Sequence, residues 1–473
     1  MKNLQISSYD LVGNKFNGYD LHFDLREKGI LSKQMVLYKE SDDLNTVPFD
    51  FTAKDATKQL LMEKDYFTTD IVHLHLIHNI LDLNYLPLMT RLKPTIITLH
   101  DPFFLSGHCI HHFDCKKWQT HCQDCPFLDA PFAIPADYTS LNFELKKQAI
   151  QNSQISAIVA SKWMEDKVKE SPIWKGKKIY KVPFGVNQKL FKPNNKEAIC
   201  QELGIEKGSL VLMLRADDGP FKGLDIIKKA LKEIQTKKKI TLITVDKTGM
   251  FEGFKDRYDI KEYGWIKDDI FLAKLYQVCD LFLMPSRQET FGMMAVEAMS
   301  CGKMVLAINS LGSALKDIIN SPECGLSVDE GKYSEELQRL LNTPEEIMER
   351  GEKSLKYAKR IYSKESFIEN IIKVYKEVID AHNLDNESKL ILEQLKKYLK
   401  NGIPSAPLDT KDSEIPVPRK LNKFWTEDSL SRKLYRKVLP LGVRKKISGG
   451  FRVIYINAKN LIPERLRRNL LRK

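Results

Sequence analysis

Met284-Pro285-Ser286-Arg287-Gln288-Glu289-Thr290-Phe291-Gly292-Met293-Met294-Ala295-Val296-Glu297-Ala298-Met299-Ser300-Cys301-Gly302 joins the end of an apolar run, Asp280 to Met284, to a segment of helical character. The run has the length of a buried strand, Pro285 stops it, and Glu289 stands at the mouth of the turn that follows. A helix opening near Gly292 leaves its first N–H groups without partners, and these, with the helix dipole, form a seat for an anion. Glu297 falls about two turns into that helix, placed to accept hydrogen bonds from another part of the same ligand. An ordinary strand, loop and helix with solvated carboxylates has the same spacing, so the segment speaks first about fold.

A second turn of the same kind lies upstream. The strand-like run Val211 to Leu214 ends in Arg215-Ala216-Asp217-Asp218-Gly219-Pro220-Phe221-Lys222-Gly223-Leu224, with Arg215 and Lys222 flanking the turn and Gly223 starting a helix. Two cations beside two helix N-termini make a diphosphate site that needs no metal. A metal-dependent nucleotide site would call for Asp-x-Asp after a strand, and Asp217-Asp218 between two cations is a poor substitute.

Further strands are expected at Leu4 to Ile6, Gln34 to Tyr38, Ile71 to Leu76, Thr95 to Leu99, Ala157 to Ala160 and Ile179 to Val182, and a second series at Ser209 to Leu214, Ile240 to Val245, Asp280 to Met284 and Met304 to Ile308. Strands alternating with helical stretches make parallel sheets. The chain is therefore read as α/β, with two Rossmann-like domains facing across a cleft and ligands bound outside the carboxyl ends of the strands. The N-terminal domain is placed at 1–184 and the C-terminal domain at 185–381, the latter closed by a long helix over 362–381. A helix and Pro-rich linker fill 382–418, and a basic tail occupies 419–473.

The chain of 473 residues is 42% hydrophobic and 29% charged, which suits two folded domains and excludes a disordered or collagen-like chain. Its net charge of +13 is not spread evenly: residues 419–473 hold 17 Lys and Arg against 3 Asp and Glu, whereas residues 1–418 hold 58 against 59. The body is neutral and the tail carries the charge. The start, Met1-Lys2-Asn3-Leu4-Gln5-Ile6, lacks the apolar core of a secretion signal, and no stretch of 18 apolar residues occurs, so a cytoplasmic protein is expected.

With Val182-Pro183-Phe184-Gly185-Val186-Asn187 at the domain junction and Thr98-Leu99-His100-Asp101 after a strand, the set of motifs resembles the retaining glycosyltransferases of family 4, which have the GT-B fold. The resemblance is closest to the bacterial branch that builds capsular, exopolysaccharide and O-antigen chains, and it covers roughly residues 1–380. It implies that Arg215 and Lys222 hold the leaving diphosphate of a nucleotide-sugar donor, that Glu289 sits at the donor sugar, and that Glu297 binds the ribose. It places backbone N–H groups of Phe291, Gly292 and Met293 against the sugar or phosphate, the turn containing Gly264 and Ile266 against the base, and His100 at the reacting sugar. The chain departs from the common pattern at Thr290, where many members have Gly, in the longer spacing from Arg215 to Lys222, and in the turn from Val12 to Gly18, which lacks clustered glycines. No cofactor is required for the chemistry so implied.

His73 and His75 share one face of a strand, with His78 just beyond it, and are read as hydrogen-bonded histidines rather than metal ligands. The cluster Cys109-x5-Cys115-x6-Cys122-x2-Cys125, in the loop 108–126, is different: four thiolates within 17 residues make a closed ligand set for a structural zinc, although four unligated cysteines remain the alternative.

In the tail, Leu430, Leu434, Val438 and Leu441 recur at helical spacing while Arg432, Lys433, Arg436 and Lys437 take the other face. A basic amphipathic helical tail suits an anionic membrane surface, and a solvated or RNA-binding tail is the alternative. The expectation is a glycosyltransferase peripheral to the inner face of the cytoplasmic membrane, acting on a lipid-linked or glycan acceptor, with no nucleic-acid partner. A nucleotide-sugar epimerase or hydrolase on the same fold, or a nucleic-acid-binding protein using the Cys cluster and tail, are the other readings.

Overall fold

The computed structural model describes residues 1–401 apart from 50–55, 62, 79 and 130–132. The Pro-rich linker beyond 401 and the basic tail at 419–473 lie outside the described residues.

The first seven strands are β1 (Lys2–Tyr9), β2 (Leu31–Tyr38), β3 (Thr46–Pro48), β4 (Ile71–His75), β5 (Thr95–Thr98), β6 (Ile155–Val159) and β7 (Ile179–Lys181). They form one parallel sheet in the order β3-β2-β1-β4-β5-β6-β7. The other six are β8 (Leu210–Ala216), β9 (Ile240–Asp246), β10 (Asp259–Glu262), β11 (Leu281–Met284), β12 (Met304–Ile308) and β13 (Leu326–Val328). These form a second parallel sheet in the order β10-β9-β8-β11-β12-β13. In both sheets the order reverses beside the first strand, the doubly wound arrangement that opens a crevice at the carboxyl ends. Every residue of β4, β11 and β12 is buried, as strands covered by helices on both faces must be.

Each expected strand is present within a residue or a few of its place. Missing from the sequence reading are β3, β10 and β13, the edge strands Thr-Val-Pro, Asp-Ile-Lys-Glu and Leu-Ser-Val, which are too short and too mixed in polarity to signal themselves.

One assignment changes. The helix Lys364–Ala381, read from the sequence as the closing element of the second domain, packs on the first. Its Ile368, Ile371, Val374 and Tyr375 bury against Leu21, Leu25, Ile71, Ile96 and Ile158, which accounts for its apolar stripe. The chain therefore crosses between domains twice, and the crossings lie side by side: the Val186 N–H donates to the Tyr362 carbonyl at 2.9 Å and the Lys364 N–H to the Val186 carbonyl at 3.2 Å. Gly185 allows that approach, since a Cβ there would stand 2.7 Å from the Lys364 Cα.

Among the described residues no helix is long and apolar enough to cross a membrane.

Candidate active site

Between the two domains, at the carboxyl ends of the central strands, lies a cavity of about 290 Å³. The first domain lines it with Phe16, His100, Asp101 and Phe184, and the second with Arg215, Lys222, Glu289 and the turn Thr290 to Met294. His100, Arg215, Lys222, Glu289, Phe291, Gly292 and Met293, proposed from distant parts of the sequence, thus face one space.

The donor-domain side is built by two loops held together through backbone. The Arg287 N–H donates to the Phe221 carbonyl at 2.7 Å, and Gly223, at φ +74°, lies so close to the second loop that a Cβ would stand 2.1 Å from the Pro285 carbonyl oxygen. This contact brings the Lys222 Nζ to 3.0 Å from the Glu289 Oε2, with both side chains about one-fifth exposed. The Arg215 Nε donates to the Asp246 Oδ2 at 2.6 Å, which aims the guanidinium along the end of β8. Gly292 caps the helix Met293–Ser300 without any side-chain bond to its first N–H groups. A lysine, an arginine and an open helix N-terminus concentrate positive potential at one wall, and Glu289 gives that wall one acceptor.

On the opposite wall the hydrogen-bond chain settles the protonation of His100. The Gln5 Nε2 donates to Asn3 and to the Tyr375 hydroxyl, so its Oε1, 2.7 Å from the His75 Nε2, accepts and requires a proton on that nitrogen. Burial pushes the His75 pKa well below its ordinary value, so the ring is neutral and its Nδ1 is bare. That Nδ1 accepts from the His100 Nε2 at 3.1 Å. Burial against Phe16 and Phe184 pushes the His100 pKa down to about 3, against the pull of Asp101, so His100 is neutral too and its Nδ1, which has no partner, carries a lone pair. His73 is held likewise, between the Tyr375 hydroxyl and the Thr98 hydroxyl at 2.7 Å each, as a hydrogen-bonded histidine.

Three of the predicted donor-binding residues do not line the cavity. Gly264 and Ile266 lie in the loop after β10, where the Gly264 carbonyl accepts from the Asp246 N–H at 2.7 Å. Glu297 is the fifth residue of its helix, one turn in rather than two, and is only 3% exposed. Its Oε1 accepts from the Lys15 Nζ at 2.8 Å and its Oε2 from the Tyr276 hydroxyl at 3.0 Å. Burial pushes the Glu297 pKa up, against the pull of Lys15 and Tyr276.

The cysteine set is altered in membership. His108 Nε2, Cys109 Sγ and Cys125 Sγ lie within 4.8 Å of one another, while Cys115 and Cys122 line the same small cavity without joining that triple.

Lys15, Tyr276 and Asp246 carry site geometry without having been singled out from the sequence. Lys15 sits inside the turn from Val12 to Gly18, already noted for its missing glycines, and that departure was the available signal.

Residues 195–364 match the family model for glycosyl transferases group 1. Among curated proteins the chain is 29% identical over 215 residues to a D-inositol 3-phosphate glycosyltransferase of Segniliparus rotundus, covering 42% of this chain and 47% of that one. It is 28% identical over 211 residues to the lipopolysaccharide 1,2-N-acetylglucosaminetransferase of Salmonella typhimurium, covering 41% and 55%. The chain thus spans about half the length of these curated relatives. Among solved structures, a glycosyltransferase from Rickettsia africae superposes with a TM-score of 0.60 at 15% identity, over 80% of this chain and 99% of that one. Anabaena Alr3699/HepE, solved with UDP and glucose, superposes with a TM-score of 0.57 at 17% identity, over 80% and 99%. The two doubly wound sheets facing across a cleft share the GT-B fold of these structures, and residues 195–364 are similar to the glycosyl transferases group 1.

Proposed function

We propose that the protein is a retaining glycosyltransferase that moves a sugar from a nucleotide diphosphate donor to a glycan acceptor, lipid-linked and belonging to a bacterial surface polysaccharide. The observation that carries this reading is the cavity of about 290 Å³ in which Arg215, Lys222, Glu289 and an open helix N-terminus face the ring of His100. Departure of a nucleoside diphosphate builds negative charge on phosphate and positive charge on the sugar. Arg215, Lys222 and the N–H groups behind Gly292 stabilise the first inside a closed cleft.

A small turn of the His100 ring brings its Nδ1, which is covered and unpartnered in the structure, to accept from a sugar hydroxyl and orient the sugar that is losing its leaving group. Glu289 holds a second hydroxyl and keeps Lys222 in place until phosphate arrives. No carboxylate nucleophile is needed if the acceptor hydroxyl attacks the face the phosphate leaves and passes its proton to that phosphate. A ribose reaching Glu297 must displace Lys15 from it, which couples nucleotide arrival to the contact between domains.

The curated relatives, a D-inositol 3-phosphate glycosyltransferase and a lipopolysaccharide N-acetylglucosaminetransferase, and the Anabaena protein solved with UDP-glucose support a nucleotide-sugar donor. The basic residues of 419–473 support an acceptor that lives at an anionic membrane face, reached from the cytoplasm.

A thermal-shift screen against UDP-, GDP- and ADP-sugars tests the reading, because a ligand present at about 100 times its Kd stabilises the folded state by about 2.7 kcal/mol. One nucleotide class should raise the melting temperature of the native protein and not of Lys222→Ala. Full sugar transfer by Lys222→Ala would refute the site, and nucleotide release at the same rate without any acceptor would favour a hydrolase.

A further inference from the structure

The loop after His100 encloses a second, much smaller cavity of about 20 Å³, lined by His108, Cys109, Cys115, Cys122 and Cys125 among others. That is room for one water or one ion. None of these cysteines is in a disulfide.

The His108 Nε2 lies 3.4 Å from the Cys125 Sγ, and Cys109 Sγ completes a triple within 4.8 Å. Around a tetrahedral zinc, bonds of about 2.3 Å to sulfur and about 2.0 Å to nitrogen give an S···N edge of about 3.6 Å and an S···S edge of about 3.8 Å. The His108–Cys125 pair already stands at such an edge. Cys122 belongs to the same turn as Cys125, in the two-residue spacing that lets both sulfurs reach one ion, and it accepts the Gly107 N–H at 3.3 Å as a thiolate would.

A charge argument points the same way. Lys146, 4% exposed, donates its Nζ to the carbonyls of Phe103 at 2.6 Å and Ser106 at 2.9 Å and lies 3.3 Å over the Phe103 ring. It has no salt-bridge partner among the described residues. A buried ammonium needs a counter-charge nearby, and the groups that act on Lys146 are the Cys122 and Cys109 thiols and the Asp101 carboxylate. Binding of Zn²⁺ to three thiols and a neutral imidazole releases three protons and leaves one net negative charge on the centre, which adds to that of Asp101 in balancing Lys146.

The geometry points to a structural zinc site formed by His108, Cys109, Cys122 and Cys125, with Lys146 as its buried counter-charge and Cys115 outside the ligand set. The site does no chemistry. It clasps the loop whose His111 ring stands 4.8 Å from the Phe221 ring of the other domain, next to Lys222, and so fixes one wall of the cleft. It stands independently of the transfer reaction proposed above.

The test uses the full chain, expressed in reducing cytosol and purified without chelator. Metal analysis should find one zinc per chain in the native protein and in Cys115→Ser, and essentially none in Cys125→Ser or His108→Ala. Should these last two fail to fold, the native protein exchanged into Co²⁺ keeps the question open to refutation: it should show the strong ligand-field absorption of a tetrahedral site together with thiolate-to-cobalt charge transfer. Metal-free native protein, or an octahedral cobalt spectrum, would overturn the site. Loss of zinc in Cys115→Ser with retention in His108→Ala would overturn the ligand set in favour of four cysteines.

Discussion

Lys15→Met removes the one cation that, among the described residues, reaches across the cleft to Glu297. The pair is well buried on the acidic side, with Glu297 3% and Lys15 25% exposed, and the Lys15 Nζ also lies 3.0 Å from Asp269. After the substitution Glu297 keeps only the Tyr276 hydroxyl at 3.0 Å. Stranding one member of a buried pair costs about 3–5 kcal/mol, and the partial exposure of Lys15 places this case at the lower end, about 3 kcal/mol. The half-exposed Asp269 adds less than about 1 kcal/mol.

The loss must depend on pH, with a definite sign. Burial raises the Glu297 pKa, and Lys15 pulls against that rise. Without Lys15 the carboxyl is raised further. An acid whose folded-state pKa lies above its unfolded value contributes stability that is complete below the unfolded value and is lost as pH rises through the folded one. The variant's deficit is therefore largest above neutrality and shrinks in acid, where Glu297 takes up a proton. Melting temperatures of native and variant protein at about pH 8 and about pH 5 give the measurement. At about 2–4 °C per kcal/mol for domains of this size, the deficit at the higher pH should be about 6–12 °C. Glu297→Gln added to Lys15→Met should recover most of it. A deficit of equal size at both pH values, or no recovery in the double variant, would refute the buried-carboxylate account.

Other expectations are as direct. Gly223→Ala should lower stability by at least about 2 kcal/mol and abolish the donor-induced thermal shift, because φ is +74° and the new Cβ meets the Pro285 carbonyl; Gly176→Ala, at φ +76° with open space around it, should cost only about 1 kcal/mol and leave the shift intact. Gln5→Leu takes away the acceptor that sets the His75 tautomer, so imidazole ¹⁵N shifts of His75 and His100 should change and sugar transfer should slow, at a stability cost of about 1–3 kcal/mol; unchanged shifts would refute the relay. Deleting 419–473 should weaken binding to anionic vesicles by about 100-fold or more, since three engaged basic residues at about 1 kcal/mol each suffice for that, while donor-induced stabilisation stays the same.

The parts of the site legible in the sequence are those built from contiguous residues. Arg215, Lys222 and Glu289 each stand at a strand end followed by a loop and a helix, and about ten residues of apolar run, proline or glycine and helical spacing are enough to say where such a side chain will point. The same holds for β11 and β12, whose fully apolar runs mark buried strands, and fails for β3, β10 and β13, which exist because a neighbouring edge offers them hydrogen bonds.

What the tertiary structure decided are the contacts made across long stretches of chain. Lys15 meets Glu297 across 282 positions, and Tyr375 joins the Gln5 and His73 network from 370 and 302 positions away. The helix carrying Tyr375 folds back on the first domain although its apolar stripe would serve either. His108, not Cys115, stands with Cys109 and Cys125. Periodicity and spacing describe how a segment relates to its own backbone. They carry no information about which of two similar apolar faces, or which of several nearby thiols and imidazoles, will come within reach once two sheets have packed, and that choice is made by the packing alone.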